Sequence, residues 1–286
     1  IRFVDVVSLY PAIQFTTPLP VGHPRVVVKD FLWLNGNGHV HYKGLIKCMV
    51  LIPRNRRVLV LPTKHAGSLL WASCRSCIET KANDFCPHED PRDRTIIGTY
   101  TTVEVNAALE RGAKLVKIYE VWDYSEWSDT IFRDYIRKFM KIKLTSSTLP
   151  GITPEEQQAF CDQVNSELEM YVMPSDFRPD KTRRALSKAL LNVLWGKFCE
   201  IPIKTRTEFV RSRRLNEMNM DPRCNVKEIR YHGDNVFMVR WADAKETVLS
   251  NRHSNVPMCA IITASARLHL LRYIEKIGGD NMLYCK

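Results

Sequence analysis

Residues 181–198, KTRRALSKALLNVLWGKF, constrain the fold more than any other stretch. At helical period, Lys181, Arg184, Lys188, Asn192 and Trp195 fall on one stripe. Leu186, Leu190, Val193 and Leu194 fall on a second, apolar stripe. Gly196 stands where a left-handed residue would close the helix. Such a helix buries one face and carries a row of cations on another over about 20 Å. Two readings of that row remain open: a solvated surface, or fixed charge facing the successive oxygens of a polyphosphate.

Composition narrows the setting. The chain has 286 residues and a formal charge of +11, which favours polyanionic partners. A hydrophobic content of 45% supports a packed core and argues against disorder. No apolar run approaches the roughly 18 residues of a membrane span, and no signal peptide is seen, so no membrane partner is expected. Nine cysteines, mostly scattered, fit a reducing compartment better than a disulfide framework.

Three motifs occur in order. Near the N-terminus stands Asp5-Val6-Val7-Ser8-Leu9-Tyr10-Pro11, or D-x-x-S-L-Y-P. The central helix holds Lys188-x-x-x-Asn192-Val193-x-Trp195-Gly196. The sequence ends at Leu283-Tyr284-Cys285-Lys286. Together they resemble motifs A, B and C of the family B DNA polymerases. The segment Pro20-Val21-Gly22-His23-Pro24, and the long stretch before motif B, resemble the protein-primed branch, as in Maverick/Polinton-type transposons and viral relatives.

The resemblance implies an α+β fold: a split polymerase palm, with an antiparallel sheet backed by helices, two-helix fingers and a β-rich insertion. It places palm at 1–25 and a protein-primed-type insertion at 26–127. Fingers follow at 128–200, with an acidic insertion at 146–180, then a second insertion at 201–225 and palm again at 226–286. It implies template-directed nucleotidyl transfer from a dNTP to a primer 3′-hydroxyl. Asp5 would bind two Mg²⁺ ions. Ser8 and Leu9 would offer backbone N–H groups to the phosphates, and Tyr10 would exclude a 2′-hydroxyl. Lys143 and Lys188 would neutralise the triphosphate, and Asn192 and Trp195 would lie against the nascent pair. Gly196, Thr263 and Arg267 would touch DNA. A template-primer and dNTP are the implied partners, with a terminal or priming protein. The implied location is intracellular, and the nucleus if the element is a eukaryotic transposon.

Local patterns fill in the rest. Residues 1–7 read as a buried strand interrupted by Asp5. Residues 26–28, 31–34, 40–42, 45–52 and 58–61 are short strand-like runs, with Asn35-Gly36-Asn37-Gly38 as a turn. Arg54, Arg56 and Arg57 form a basic loop that either meets nucleic acid or is a solvated tip. Cys74-x-x-Cys77 followed by Cys86-x-His88 has the spacing of a structural zinc site, or is a set of reduced thiols in a loop. Residues 101–111 read as a helix capped by Thr101 or Thr102 and ended by Gly112, with a strand at 115–121.

Residues 129–145 read as a helix with Ile131, Phe132, Tyr135, Phe139 and Ile142 on its apolar face. Arg137, Lys138, Lys141 and Lys143 line the other. Arg206, Arg211, Arg213 and Arg214 form a basic, hairpin-like segment that is either a solvated hairpin or, as its position in the resemblance implies, a clamp on the template. Residues 237–241 and 246–249 alternate like paired strands, and 255–273 read as a long helix.

Three departures define the alternatives. Val193 replaces the family's Ser, Trp195 its Tyr, and Lys286 the first motif C Asp, so the stretch given lacks the second catalytic Asp. They favour a rival reading, a catalytically decayed polymerase acting only as a nucleic-acid-binding protein. A weaker rival, a zinc-dependent protein built on residues 74–88, would need a carboxylate-rich site beside the metal.

Overall fold

The computed structural model describes residues 4–54, 56–82, 86–200, 203–244 and 254–282. The chain divides into two compact units, Ile1–Trp195 with Val256–Lys286, and Gly196–Asn255.

The first unit opens with α1 (Leu9–Thr16) and β1 (Leu19–Val21), then β2 (Arg25–Val27) and β3 (Gly44–Leu51). The hairpin strands β4 (Thr63–His65) and β5 (Ser68–Leu70) precede two short helices, α2 (Arg75–Thr80) and α3 (Pro91–Arg94). Then come β6 (Ile96–Thr101), α4 (Thr102–Glu110) and β7 (Lys114–Asp123). The central sheet is antiparallel with order β2-β7-β3-β6. Along β3 the buried residues alternate, so Ile46, Cys48 and Val50 share one face. That face packs with Val105 and Ala108 of α4 and with Ile118 and Val121 of β7. Full burial of each large aliphatic contributes about 1.5–3 kcal/mol.

Two local features follow the sequence. The α4 helix is capped by Thr101 and Glu104 in a reciprocal capping box, and Gly112, at a φ of 89°, lies just beyond it. Gly44 has another reason: a Cβ there would stand 2.1 Å from the Trp122 carbonyl oxygen.

The strand β8 (Glu126–Ser128) pairs with β1. Two helices then lie antiparallel, α5 (Arg133–Thr145) and α7 (Lys181–Lys197), separated by α6 (Pro154–Leu168). The end of α5 meets the start of α7: Arg178 N–H donates to the Thr145 carbonyl and Asp180 N–H to the Ser146 carbonyl. Further along, the Tyr135 hydroxyl donates to the Leu190 carbonyl. The α6 insertion packs on α5 through Cys161, Val164, Leu144 and Leu149. Its Glu169 accepts from both Arg133 and Arg137, so this segment neutralises part of the charge of α5. Helix α9 (Val256–Ile277) packs on α1, α4 and β1. No helix among the described residues is long and apolar enough to cross a membrane.

The second unit holds β9 (Arg206–Arg211), α8 (Ser212–Met220), β10 (Cys224–Tyr231) and β11 (Val236–Asp243). Its sheet is antiparallel with order β10-β11-β9 over a core of Val210, Leu215, Met218, Val239 and Trp241.

Several expectations change. Residues 4–7 form no strand, and Val4 and Val7 are exposed. Residues 58–61 form none, and 31–34 contribute only the Leu34–Val40 bridge. The buried residues of α7 are Ser187 and Leu191, while Leu186 and Val193 face solvent. The helix is rotated relative to its Leu-rich stripe, and the Ser187 hydroxyl satisfies itself on the carbonyls of Arg183 and Arg184. Gly196 is helical, because α7 runs on to Lys197. The basic stretch after residue 205 is a strand followed by a helix, not a hairpin, because Leu215 and Met218 bury one helical face on the sheet. Strand β11 pairs with β10 and β9, and the expected partner at 246–249 lies outside the described residues.

Candidate active site

The site is built where α1, α5 and α7 approach one another. Asp5 lies in the irregular lead into α1, exposed, and pairs with no cation among the described residues. Three residues on, Ser8 takes a left-handed backbone conformation, with φ at 59°, at the N-cap of α1. That geometry costs a non-glycine residue about 1–2 kcal/mol. Its carbonyl accepts the Ala12 N–H at 2.9 Å, but its side chain caps nothing. The Ser8 hydroxyl instead receives the Lys143 ammonium. The N–H groups of Leu9 and Tyr10 therefore belong to the unpaired first turn of a helix, a place suited to anions.

Lys143 reaches Ser8 because of where it sits on α5. The buried stripe of this segment is Phe132, Ile136, Met140 and Lys143; of the expected face Ile131, Phe132, Tyr135, Phe139 and Ile142, Phe132 is buried, Tyr135, Phe139 and Ile142 are half-buried and Ile131 is exposed. Lys143, which the resemblance assigns to the triphosphate, is turned inward and buried. Burial first, then the charges of Arg184 and Lys188, hold its ammonium below the ordinary lysine range. Arg184 and Lys188 are therefore near enough to Lys143 to act on its charge.

Arg184 lies on the cationic stripe but has no role in the motif resemblance. Its Nε donates to Ser147 Oγ at 3.0 Å, and that hydroxyl donates to the Lys143 carbonyl at 2.7 Å. The signal was present, since Arg184 and Lys188 are one turn apart on one stripe. Lys188 and Asn192 are exposed on that stripe.

Tyr10 and Trp195 stack face to face, with centroids 4.4 Å apart and planes inclined by 9°. The stack joins the first turn of α1 to the end of α7. The structure thus links Ser8, Tyr10, Lys143, Lys188 and Trp195 through direct contact or mutual repulsion. Asp5 is within about 11 Å of Ser8 along the chain. Residues 283–286, which resemble the start of motif C, lie outside the described residues.

The other residues expected at DNA have partners within the protein or lie exposed. Thr263 donates to the Cys259 carbonyl within α9. Arg267 grips the buried Glu104 carboxylate, donating through Nε at 3.0 Å and through Nη2. In the second unit, Arg206 pairs with Asp243 at 3.1 Å and lies 5.0 Å over the Trp241 ring. Arg213 and Arg214 each pair with Glu217 at 3.4 Å. Arg211 is exposed at the end of β9, and Gly196 lies one residue before the end of α7.

A second cluster gathers Cys74, Cys77, Cys86 and His88, with all four donor atoms within 4.8 Å of one another. Burial acts to raise the Cys86 thiol, but hydrogen bonds from His88 and Cys77 outweigh it and bring it down to about 6. Cys77 is pushed up to about 12, by burial first and then by Cys86 and Cys74.

Comparison with known proteins agrees with this architecture. No curated protein matches the chain. The Phi29 DNA polymerase, in its orthorhombic crystal form, is similar in fold, with a TM-score of 0.55 at 16% identity over 99% of this chain. The aligned part is 36% of that polymerase, so the chain spans about a third of its length. The family model described as DNA polymerase type B, organellar and viral, matches residues 1–149 of the 286. That match covers more than half of the chain and includes Asp5, Ser8, Tyr10 and Lys143, and the chain therefore belongs to the organellar and viral type B DNA polymerases.

Proposed function

We propose that this chain is the palm and fingers of a protein-primed-type DNA polymerase from a mobile element or virus. The reaction is template-directed: the primer 3′-oxygen attacks the α-phosphorus of a dNTP, the bond to the bridging oxygen breaks and pyrophosphate leaves. One observation carries this reading. Lys143 is turned into the protein onto Ser8, beside Arg184 and Lys188, at the first turn of the helix that follows Asp5. Three cations and unpaired helix N–H groups at one point match a triphosphate, whose transfer needs positioning and charge neutralisation more than covalent help.

Asp5 is a hard oxygen donor, exposed and without an ion pair among the described residues, and so fits a Mg²⁺ ligand. When bound, Mg²⁺ supplies charge neutralisation at the phosphates and activates the primer hydroxyl. The chain's own residues orient the nucleotide. Lys143, Arg184 and Lys188 hold the β- and γ-phosphates. Leu9 and Tyr10 N–H groups donate to phosphate oxygens. The Tyr10 ring, fixed by Trp195, limits the sugar to a 2′-deoxyribose. Thr263 and Arg267 back the primer strand, and Arg206, Arg211, Arg213 and Arg214 serve the template. The insertion at 26–127 accommodates a priming protein. The second reading, a decayed polymerase that only binds nucleic acid, is favoured by the Val193 and Trp195 departures in motif B.

Single-nucleotide incorporation on a primed template by the full-length protein decides between them. Asp5→Asn is expected to lower incorporation at least about 100-fold while leaving DNA binding intact. Lys188→Ala is expected to raise the KM for dNTP about 10-fold. An Asp5→Asn protein that extends primers at the unsubstituted rate sinks the polymerase reading, and an unsubstituted protein that binds DNA but never extends supports the decayed one.

A further inference from the structure

We propose that Cys74, Cys77, Cys86 and His88 bind one structural Zn²⁺ ion that fastens the α2–α3 segment to the edge of the central sheet. This site plays no part in nucleotidyl transfer and stands apart from the polymerase reading. The geometry points to it. A tetrahedron with Zn–S of about 2.3 Å and Zn–N of about 2.05 Å has edges of about 3.6–3.8 Å. The Nδ1 atom of His88 lies 3.5 Å from the Cys74 sulfur, 3.4 Å from that of Cys77 and 3.7 Å from that of Cys86. One imidazole nitrogen facing three sulfurs at that spacing is a coordination shell rather than a chance meeting of side chains. All three thiols are unpaired with any other cysteine.

The donor set selects the ion. Three sulfurs and one imidazole are soft, which disfavours Mg²⁺ and Ca²⁺ and suits Zn²⁺. Four protein ligands complete the shell, leaving no open position for a reacting water, so the role is structural. Binding releases each remaining thiol proton to solvent.

The segment needs such a fastening. The α2 helix has six residues, buries only Ile78, and is too short to hold by itself. Around the cluster, Ser76 Oγ donates to the Asp93 carbonyl at 2.9 Å and buried Arg94 donates to the Ile52 carbonyl at 2.7 Å. Arg54 donates to the carbonyl of His88 itself. The ion therefore also fixes the basic loop that begins at Arg54, through the backbone of one of its ligands.

The test needs neither DNA nor nucleotide. The whole chain, purified without chelator, is expected to carry about one zinc per chain by elemental analysis. Replacement by Co²⁺ is expected to give visible bands of a tetrahedral site and a near-ultraviolet thiolate charge-transfer band. The double variant Cys77→Ser/Cys86→Ser should lose the metal, whereas Cys224→Ser should keep it. His88→Cys should keep the metal and shift the cobalt spectrum toward four sulfurs, which separates lost ligation from lost folding. A chain that takes up no zinc after reconstitution overturns the proposal. So does a double variant that keeps a full equivalent, or a cobalt spectrum without thiolate bands. An active but zinc-free polymerase would break this inference alone, and a zinc-loaded chain that never extends a primer would break only the polymerase reading.

Discussion

Lys143, Arg184 and Lys188 in the first unit, and Arg206, Arg213 and Arg214 in the second, are equally basic in sequence but differ in what answers their charge. The second group is exposed, and Asp243 and Glu217 neutralise it at 3.1–3.4 Å. In the first group, none of the three cations pairs with a carboxylate among the described residues, and Lys143 is buried against the repulsion of the other two. Charges that proteins leave unanswered and partly desolvated carry a standing cost, and an incoming polyanion removes it. Basic composition therefore marks affinity for nucleic acid in general, whereas uncompensated convergence marks a site.

The largest effect that would break this contrast is at Lys143. Lys143→Met is expected to lower incorporation about 100-fold and yet to raise Tm by about 2–4 °C, since a repelled ammonium is replaced by an apolar chain of similar volume. The sign with pH follows from the lowered pKa. Between the depressed folded value and the ordinary lysine value, the unfolded chain binds more protons, so the stability of the unsubstituted protein rises with pH there. The advantage of the Met variant should shrink across that window. Thermal melts across alkaline pH check it, and a Met variant that is less stable at neutral pH with full activity would remove the contrast.

A middle-sized effect tests the aromatic stack. An offset or parallel pair contributes about 0.5–1.5 kcal/mol, so Trp195→Ala should reduce discrimination against ribonucleotides by up to about tenfold. Trp195→Tyr should leave it nearly unchanged. Competition between dNTP and rNTP measures this, and equal loss in both variants would assign Trp195 a role other than holding Tyr10.

The smallest effect belongs to the second unit. Arg213→Ala or Arg214→Ala should each reduce the salt slope of DNA binding by less than about one, because Glu217 already competes for the charge. A full unit of slope per residue would show that the ion pair yields completely to phosphate, and would narrow the difference between the regions.

Much of this was legible in advance because it is local. The cap at Thr101, the stop at Gly112, strand β7, helices α5 and α7 taken singly and the long α9 follow from short-range patterns, whereas the pairing of α5 with α7 was implied by the family resemblance. The convergence of Cys74, Cys77, Cys86 and His88 was also written in the spacing. Errors came where two solutions satisfy the same local pattern. A Leu-rich helix such as α7 has more apolar residues than one face needs, and only its neighbours decide that Leu191 is buried and Leu186 is not.

The sequence by itself determined the motif order, helices α5 and α7 taken singly and the Cys/His spacing, because period, capping and chain separation are properties of consecutive residues. Only the tertiary structure decided which lysine turns inward, that Arg184 joins it, that Arg267 is held by Glu104, and that strand β11 pairs with β10 and β9. Those outcomes depend on burial and on charges brought together from distant parts of the chain, and neither quantity exists until the core has formed.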